Sequence, residues 1–248
     1  YDMKIMNISD LHCRTFWKKF GDINNLLSNT NSTSEFDKYI FIGDYVDSFT
    51  VSNETIKENL LEIITFKKMY PDKVILLWGN HDVEYLINKP WLPIPKGIVT
   101  GFRSEMHYDL YDIFNENKEL FQLSYQIKNY IWTHAGIHEG YYKFVFSKAI
   151  KNMDMNDLSI SEQLNESFKY QLKCLFDCDW YRGGRQRVGG PLWCSKNLVE
   201  KKPLKNYKQI VGHSWVKTIY TKKYDNLTDI TFCDILDNKE MFLTTILN

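Results

Sequence analysis

No apolar run in the 248-residue chain approaches the roughly 18 residues that a bilayer-spanning helix needs, so no membrane partner is expected. The first residues do not have the form of a signal peptide either. Asp10 and His12 fall where its apolar core would have to continue. Net charge is also absent: 31 basic residues balance 31 acidic ones. That excludes a chain-wide nucleic-acid footprint and leaves only a local patch open. Cysteine is scarce and scattered (Cys13, Cys174, Cys178, Cys194, Cys233). Cys174 and Cys178 have helical spacing but no matching pair elsewhere, so a zinc clip is not expected. Reduced thiols and a cytoplasmic setting are. No repeat, low-complexity tract or linker interrupts the sequence. What remains is 44% hydrophobic and 25% charged, with many aromatics, as in a globular chain able to bury a sizeable core.

The most informative stretch is Lys73-Val74-Ile75-Leu76-Leu77-Trp78-Gly79-Asn80-His81-Asp82. Its apolar run reads as a buried strand. Gly79 permits a sharp turn, and an amide, an imidazole and a carboxylate follow at once. Strands of α/β proteins deliver ligand-binding groups at their carboxyl ends. The same grammar recurs elsewhere. Met3 to Ile8 reads as a strand ending in Ser9-Asp10-Leu11-His12. Lys38 to Ile42 ends in Gly43-Asp44-Tyr45-Val46-Asp47. Tyr130 to Trp132 ends in Thr133-His134, and Tyr207 to Val211 ends in Gly212-His213.

Between these, helical spacing predicts helices over Thr15–Leu27 and from Ser52, its cap, to about Met69. Two more are expected from Ser104 to about Asn115 and over much of Gly140–Cys174. The βαβ spacing makes the first strands parallel. Asn88–Val99, rich in Pro and Trp, reads as a rigid loop. Phe121–Ile127 and Tyr130–Trp132 read as a hairpin. Asp179–Gly190 reads as a basic glycine-rich loop, and Thr218–Leu247 as a closing antiparallel set of three short strands.

Five strand ends supplying Asp, Asn or His form a metal-site pattern. Asp10 and His12, two apart, are expected to project to one side. The donors suit two ions. Asp44 has two oxygens and can bridge. Asp10 and His12 would complete one ion, with His213 an extra ligand, while Asn80 and His134 would hold the other. Ions about 3.5–4 Å apart clamp both oxygens of an in-line displacement and acidify a shared water. Mixed nitrogen and oxygen ligands suit manganese first, then iron or zinc.

Asp10-Leu-His12, Gly43-Asp44-Tyr-Val-Asp47, Gly79-Asn80-His81-Asp82, Thr133-His134-Ala-Gly and Gly212-His213 resemble, in order, the five motifs of the calcineurin-like metallophosphoesterases. Gly43–Asp47, Gly101-Phe102 and Pro191-Leu-Trp193 resemble the phosphoprotein phosphatase branch, of bacterial or phage type. The single Gly-His, without a second histidine, leans away from the nuclease and phosphodiesterase branches. The resemblance implies one domain over residues 1–248, an α/β four-layer sandwich of two mixed sheets packed face to face with helices outside. It implies Asp10, His12, Asp44, Asn80, His134 and His213 as metal ligands, His81 as general acid and Asp47 as the carboxylate that orients His81. It further implies phosphomonoester hydrolysis by a hydroxide shared between the ions, on a phosphoprotein or a small phosphoester. His107 and His138 match no motif.

Two features depart from that branch. Its arginine after the second Asp is Ser48 here, and its arginine before the third motif's Gly is Trp78. A transferring phosphoryl group still needs cationic help. The candidates are Arg182, Arg185 and Arg187 on the glycine-rich loop, then Arg14 and Arg103. The same loop with Trp91 would also suit a dinucleoside polyphosphate or a nucleic-acid phosphodiester. A non-catalytic scaffold is the third reading, and it is weakened because every matched position is present.

Overall fold

The computed structural model describes residues 2–29, 31–86, 99–235 and 241–247. Its strands are β1 (Met3–Ile8), β2 (Lys38–Phe41), β3 (Val74–Leu77), β4 (Phe121–Gln122), β5 (Ser124–Ile127), β6 (Tyr130–Thr133), β7 (Lys208–Val211), β8 (Tyr220–Lys223), β9 (Asp229–Phe232) and β10 (Leu243–Leu247). They form two mixed sheets, one in each of two compact units. The first unit takes in the described chain up to residue 86, residues 99–121 and the last strand. The second takes in residues 122–234.

In the first unit the sheet order is β10-β1-β2-β3-β4. β1, β2 and β3 run parallel, as the βαβ spacing requires, and β10 lies antiparallel to β1. Every residue of β3 is buried, which is why its sequence is continuously apolar rather than alternating. Helices α1 (Ile23–Ser28), α2 (Asn53–Met69), α3 (Asn80–Leu86) and α4 (His107–Glu116) belong to this unit. Ser52 caps α2 by accepting the Thr55 N–H at 3.3 Å. Ile56, Leu60, Ile63, Ile64 and Phe66 form the buried face of α2. Each such side chain contributes about 1.5–3 kcal/mol by leaving water. Phe66 meets Tyr39 of β2 at 5.5 Å between ring centres. Trp17 lies edge-on to Phe41 and donates its indole N–H to Asn59 at 2.8 Å, so its one polar atom is satisfied in the core.

The second unit orders its strands β5-β6-β7-β9-β8. β6, β7 and β9 are parallel, and the outer strands are antiparallel to their neighbours. A helix at Ile160–Lys169 begins with a capping box between Ser159 and Glu162. Its Asn165 accepts the Leu123 and Ser124 N–H groups, both at 2.9 Å, and so fixes the helix beside β5.

Several expectations need correction. The helix over Thr15–Leu27 is broken into a 3₁₀ turn at Phe16–Lys19 and α1, because Gly21 turns the chain with φ +50°. Gly140–Cys174 is largely helical as expected, but in two pieces: a continuous run from Glu139 to Ala149, π-helical at Tyr142–Phe146, and Ile160–Lys169. Thr218–Leu247 does hold three strands, but they do not form one set. β8 and β9 join the second sheet and β10 crosses to the first. Phe121–Gln122 likewise belongs to the first sheet, and only β5 makes the hairpin with β6. Of the loop expected at Asn88–Val99, all but Val99 lies outside the described residues, as does Trp91. No helix among the described residues is long and apolar enough to cross a membrane.

Candidate metal centre

The candidate residues share an unusual backbone. Ten non-glycine residues of the described chain have positive φ, and five are Asp10 (50°), His12 (43°), Asp44 (57°), Asp47 (69°) and His213 (61°). Side chains rarely adopt that region, and such strain gathers at functional sites. Asp10 and His12 therefore lie past the end of β1, and the two-residue periodicity of a strand does not set their direction. Hydrogen bonds to the neighbouring strand end hold them instead: Asp10 N–H donates to Gly43 O at 3.2 Å and His12 N–H to Asp44 O at 2.9 Å.

Two glycines make this convergence of strand ends sterically feasible. A Cβ on Gly79 would lie 2.2 Å from both the amide nitrogen and Oδ1 of Asp44. One on Gly43, whose φ is +87°, would lie 2.5 Å from the Gly79 nitrogen. Asp82, fully buried, completes the junction. Its carboxylate accepts the N–H groups of Asp44 (2.7 Å), Tyr45 (2.9 Å) and Gly79 (2.9 Å). The motif that contains Asp82 does not by itself mark it for this role. Its signal was a carboxylate in the first turn after a strand-ending glycine, where free backbone donors accumulate.

His12, Asp44 and His81 each bring a ligand-type atom within 4.8 Å of the others. His12 Nδ1 lies 3.1 Å and 3.2 Å from the carbonyl oxygens of Val46 and Asp47. Carbonyls only accept, so Nδ1 carries the hydrogen, and in the neutral ring Nε2 is the nitrogen left to act as a ligand. That nitrogen lies 3.7 Å from Asp44 Oδ2. A neutral imidazole nitrogen and a carboxylate so placed suit a cation, and the orienting carbonyls supply the outer-shell support a ligating histidine usually has. Asp10 and Asn80, each 2% exposed, lie at the ends of β1 and β3, but Asp10 is not in the compact group. Ser9 Oγ donates to its carboxylate.

His81 opens α3. Its N–H donates to Asp44 Oδ1 at 3.0 Å, and its Nδ1 lies 2.7 Å from Asp47 Oδ2. Burial favours the neutral ring, but the Asp44 charge and the Asp47 bond and charge together outweigh it and push the imidazole up to about 9. Next to this pair, burial and then the Asp47 charge push the Glu84 carboxyl up to about 7, and Glu84 Oε2 has no hydrogen-bond partner among the described residues. Between an ordinary 4.5 and about 7 the folded chain keeps a proton that the unfolded chain has released. The Glu84 contribution to stability therefore falls by about 3 kcal/mol as pH rises through that window. Glu84→Gln in chelator-treated protein should make this decline shallower by that amount, leaving the part due to the raised His81, as measured by denaturant unfolding at about pH 5 and about pH 8.

In the second unit, the buried rings of His134 and His213 lie 5.0 Å apart. Trp193, from the apolar segment after the glycine-rich loop, packs edge-on against His213 at 5.8 Å. Arg182 is the loop arginine that reaches this pair. One nitrogen, Nη2, donates to His213 O (3.2 Å) and Ser214 Oγ (2.6 Å), and the rest of its guanidinium has no partner among the described residues. Arg185 and Arg187 are exposed and make no hydrogen bond or ion pair among those residues. His138, outside every motif, caps a helical turn by accepting the Gly140 N–H.

The two departures also have structural counterparts. Trp78 is core: it stacks on Phe121 at 4.5 Å and meets Phe114 at 5.4 Å. Ser48 closes its own turn, its Oγ accepting the Thr50 and Val51 N–H groups. Arg103 spends its guanidinium on Asn53 Oδ1, Ser48 O and Val51 O, and so braces that turn. Arg14 Nη1 donates to the carbonyls of Leu11 (3.1 Å) and Asp10 (3.4 Å).

A Caenorhabditis elegans serine/threonine-protein phosphatase is 34% identical over 85 residues, which are 34% of this chain and 17% of that protein. Serine/threonine-protein phosphatase 5 of Homo sapiens is 31% identical over 102 residues, 40% of this chain and 18% of its own length. The matched stretches thus span less than a fifth of either relative. Among solved structures, a cold-active protein-tyrosine phosphatase of a psychrophilic Shewanella superposes with a TM-score of 0.55 at 14% identity, covering 98% of this chain and 75% of that one, a likeness of fold. The family model for calcineurin-like phosphoesterases matches residues 3–216. With most of its length inside that match, the chain belongs to the calcineurin-like phosphoesterase family.

Proposed function

We propose that the protein hydrolyses phosphomonoesters with the help of two divalent ions, manganese before iron or zinc. Asp10, His12, Asp44, Asn80, His134 and His213 would hold them, with Asp44 shared. The observation that carries this reading is His12 Nε2 set 3.7 Å from Asp44 Oδ2. When bound, such ions polarise phosphoryl oxygens and acidify water toward hydroxide near neutral pH.

The protein's own side chains supply the rest. Asp47 holds the Nδ1–H of His81, which leaves Nε2 to carry the proton given to the departing oxygen. Asp47 also fixes the ring against rotation. The unpartnered edge of Arg182 offers donors to phosphate oxygens, a role that Trp78 and Ser48 no longer fill. The phosphatase relatives support a phosphoprotein as the substrate, and a small phosphoester is the simpler alternative. Five cysteines that remain single thiols support a reducing, cytoplasmic setting.

The test compares an aryl phosphomonoester with a bis-aryl phosphodiester in the presence of Mn²⁺. Preferential monoester turnover, lost with chelator and regained with Mn²⁺, is expected. Equal or faster diester turnover would transfer the reading to phosphodiesters, and no turnover from folded, metal-loaded protein would overturn it.

A further inference from the structure

Asp47 is held from two sides by one helix. His81 and Tyr85 are four residues apart on α3, so both project from the same face. His81 Nδ1 meets Asp47 Oδ2 at 2.7 Å, and the Tyr85 hydroxyl donates to Asp47 Oδ1 at 2.5 Å. Tyr85 is fully buried, and its ring stacks on Phe102 at 4.8 Å with the planes 19° apart.

The direction of the tyrosine bond follows from its third partner. The backbone N–H of Arg103 donates to the Tyr85 oxygen at 3.0 Å. A backbone N–H can only donate, so the hydroxyl accepts there and its single hydrogen must go to Asp47. Burial, then the Asp47 charge, raises the phenol well above its ordinary range, so it stays a donor throughout the working pH. The Arg103 side chain in turn braces the Ser48–Val51 turn. The carboxylate is thereby immobilised at both oxygens, which leaves His81 a single tautomer and a single ring orientation.

We propose that Tyr85 is a positioning residue for the proton transfer by His81, acting through Asp47: its hydroxyl, aimed by the Arg103 N–H, clamps the carboxylate that orients the imidazole. This rests on the reading of His81 as general acid. Proton donation matters most when the departing oxygen is basic. A loss of positioning should therefore appear selectively on poor leaving groups, whereas a general loosening of the site would slow all substrates alike.

Tyr85→Phe removes only the hydroxyl and keeps the ring stack. It should be assayed with phenyl phosphate (poor leaving group) and p-nitrophenyl phosphate (good leaving group), in the parent and in a His81→Asn background. The expected result is a fall in kcat of about tenfold on phenyl phosphate and less than about threefold on p-nitrophenyl phosphate. KM and metal content should stay unchanged, and no further loss should occur once His81 is gone. A Phe102→Leu variant, which disturbs the stack but spares the hydroxyl, should not reproduce the leaving-group dependence. Equal losses on both substrates, losses that persist in the His81→Asn background, or no loss at all would overturn the role of Tyr85. If His81→Asn alone left both substrates unaffected, the reading of His81 itself would fall.

Discussion

Replacing His81 with asparagine is expected to lower turnover of a phosphomonoester by roughly 10²–10⁴-fold, with fold and metal content preserved. The selectivity follows from the way the residue is built in. Its link to Asp44 runs through the backbone N–H, 3.0 Å from Oδ1, and survives the substitution. What is lost is the imidazole, whose Nδ1 sits 2.7 Å from Asp47 and whose Nε2 is the proton-bearing atom in the proposed reaction. Asparagine fills part of the space but has no group that titrates near neutrality. The loss should grow with the basicity of the leaving oxygen, so phenyl phosphate should suffer more than p-nitrophenyl phosphate. A His81→Asn protein as fast as its parent on both would remove the acid from the mechanism.

The second large effect is expected at Asp44, where the same kind of change should act on metal rather than on proton transfer. Asp44 is 2% exposed, with Oδ1 held by the His81 N–H and Oδ2 facing His12 Nε2. An amide at this position can still accept the His81 N–H, so the local backbone should hold. The buried negative charge is gone, however, and so is the second carboxylate oxygen that would let one residue serve two ions. Even residues that merely orient metal ligands cost 10–100-fold in affinity when removed. Asp44→Asn should therefore weaken Mn²⁺ binding by more than about 100-fold and abolish turnover with it. Metal content after dialysis, measured beside Tm, separates this from unfolding. Full retention of both ions would show that Asp44 is not a ligand.

How far the sequence announced these features depends on how local their causes are. The strand ends were legible because each joins an apolar run, at three of the five across a glycine, to a metal-type side chain within ten residues. α2 was legible for a similar reason: its cap, its apolar face and the terminating Pro71 are contiguous. The route of the chain after His213 was not. Whether β10 joins β8 and β9 or pairs with β1, more than two hundred residues away, is decided by tertiary packing that no local pattern encodes. The helix over Thr15–Leu27 failed because one glycine overrode an otherwise helical periodicity. Trp78 and Ser48 read as losses against the family pattern. Only their surroundings reveal what replaced them, an aromatic stack at one and a self-closed turn at the other. Tyr85 lay within reach of sequence reasoning, one helical turn beyond His81. Its partner Asp47 comes from another strand end, though, and spacing alone does not predict that meeting.

The most direct examination of the central claim is electron paramagnetic resonance on the chain titrated with Mn²⁺. Two manganese ions bridged by one carboxylate should bind per chain and give a spin-coupled spectrum in place of the six-line signal of an isolated ion. Asp44→Asn should eliminate that coupled spectrum. A single uncoupled ion, or two independent ones indifferent to the loss of Asp44, would contradict a shared binuclear centre and the hydrolysis built upon it.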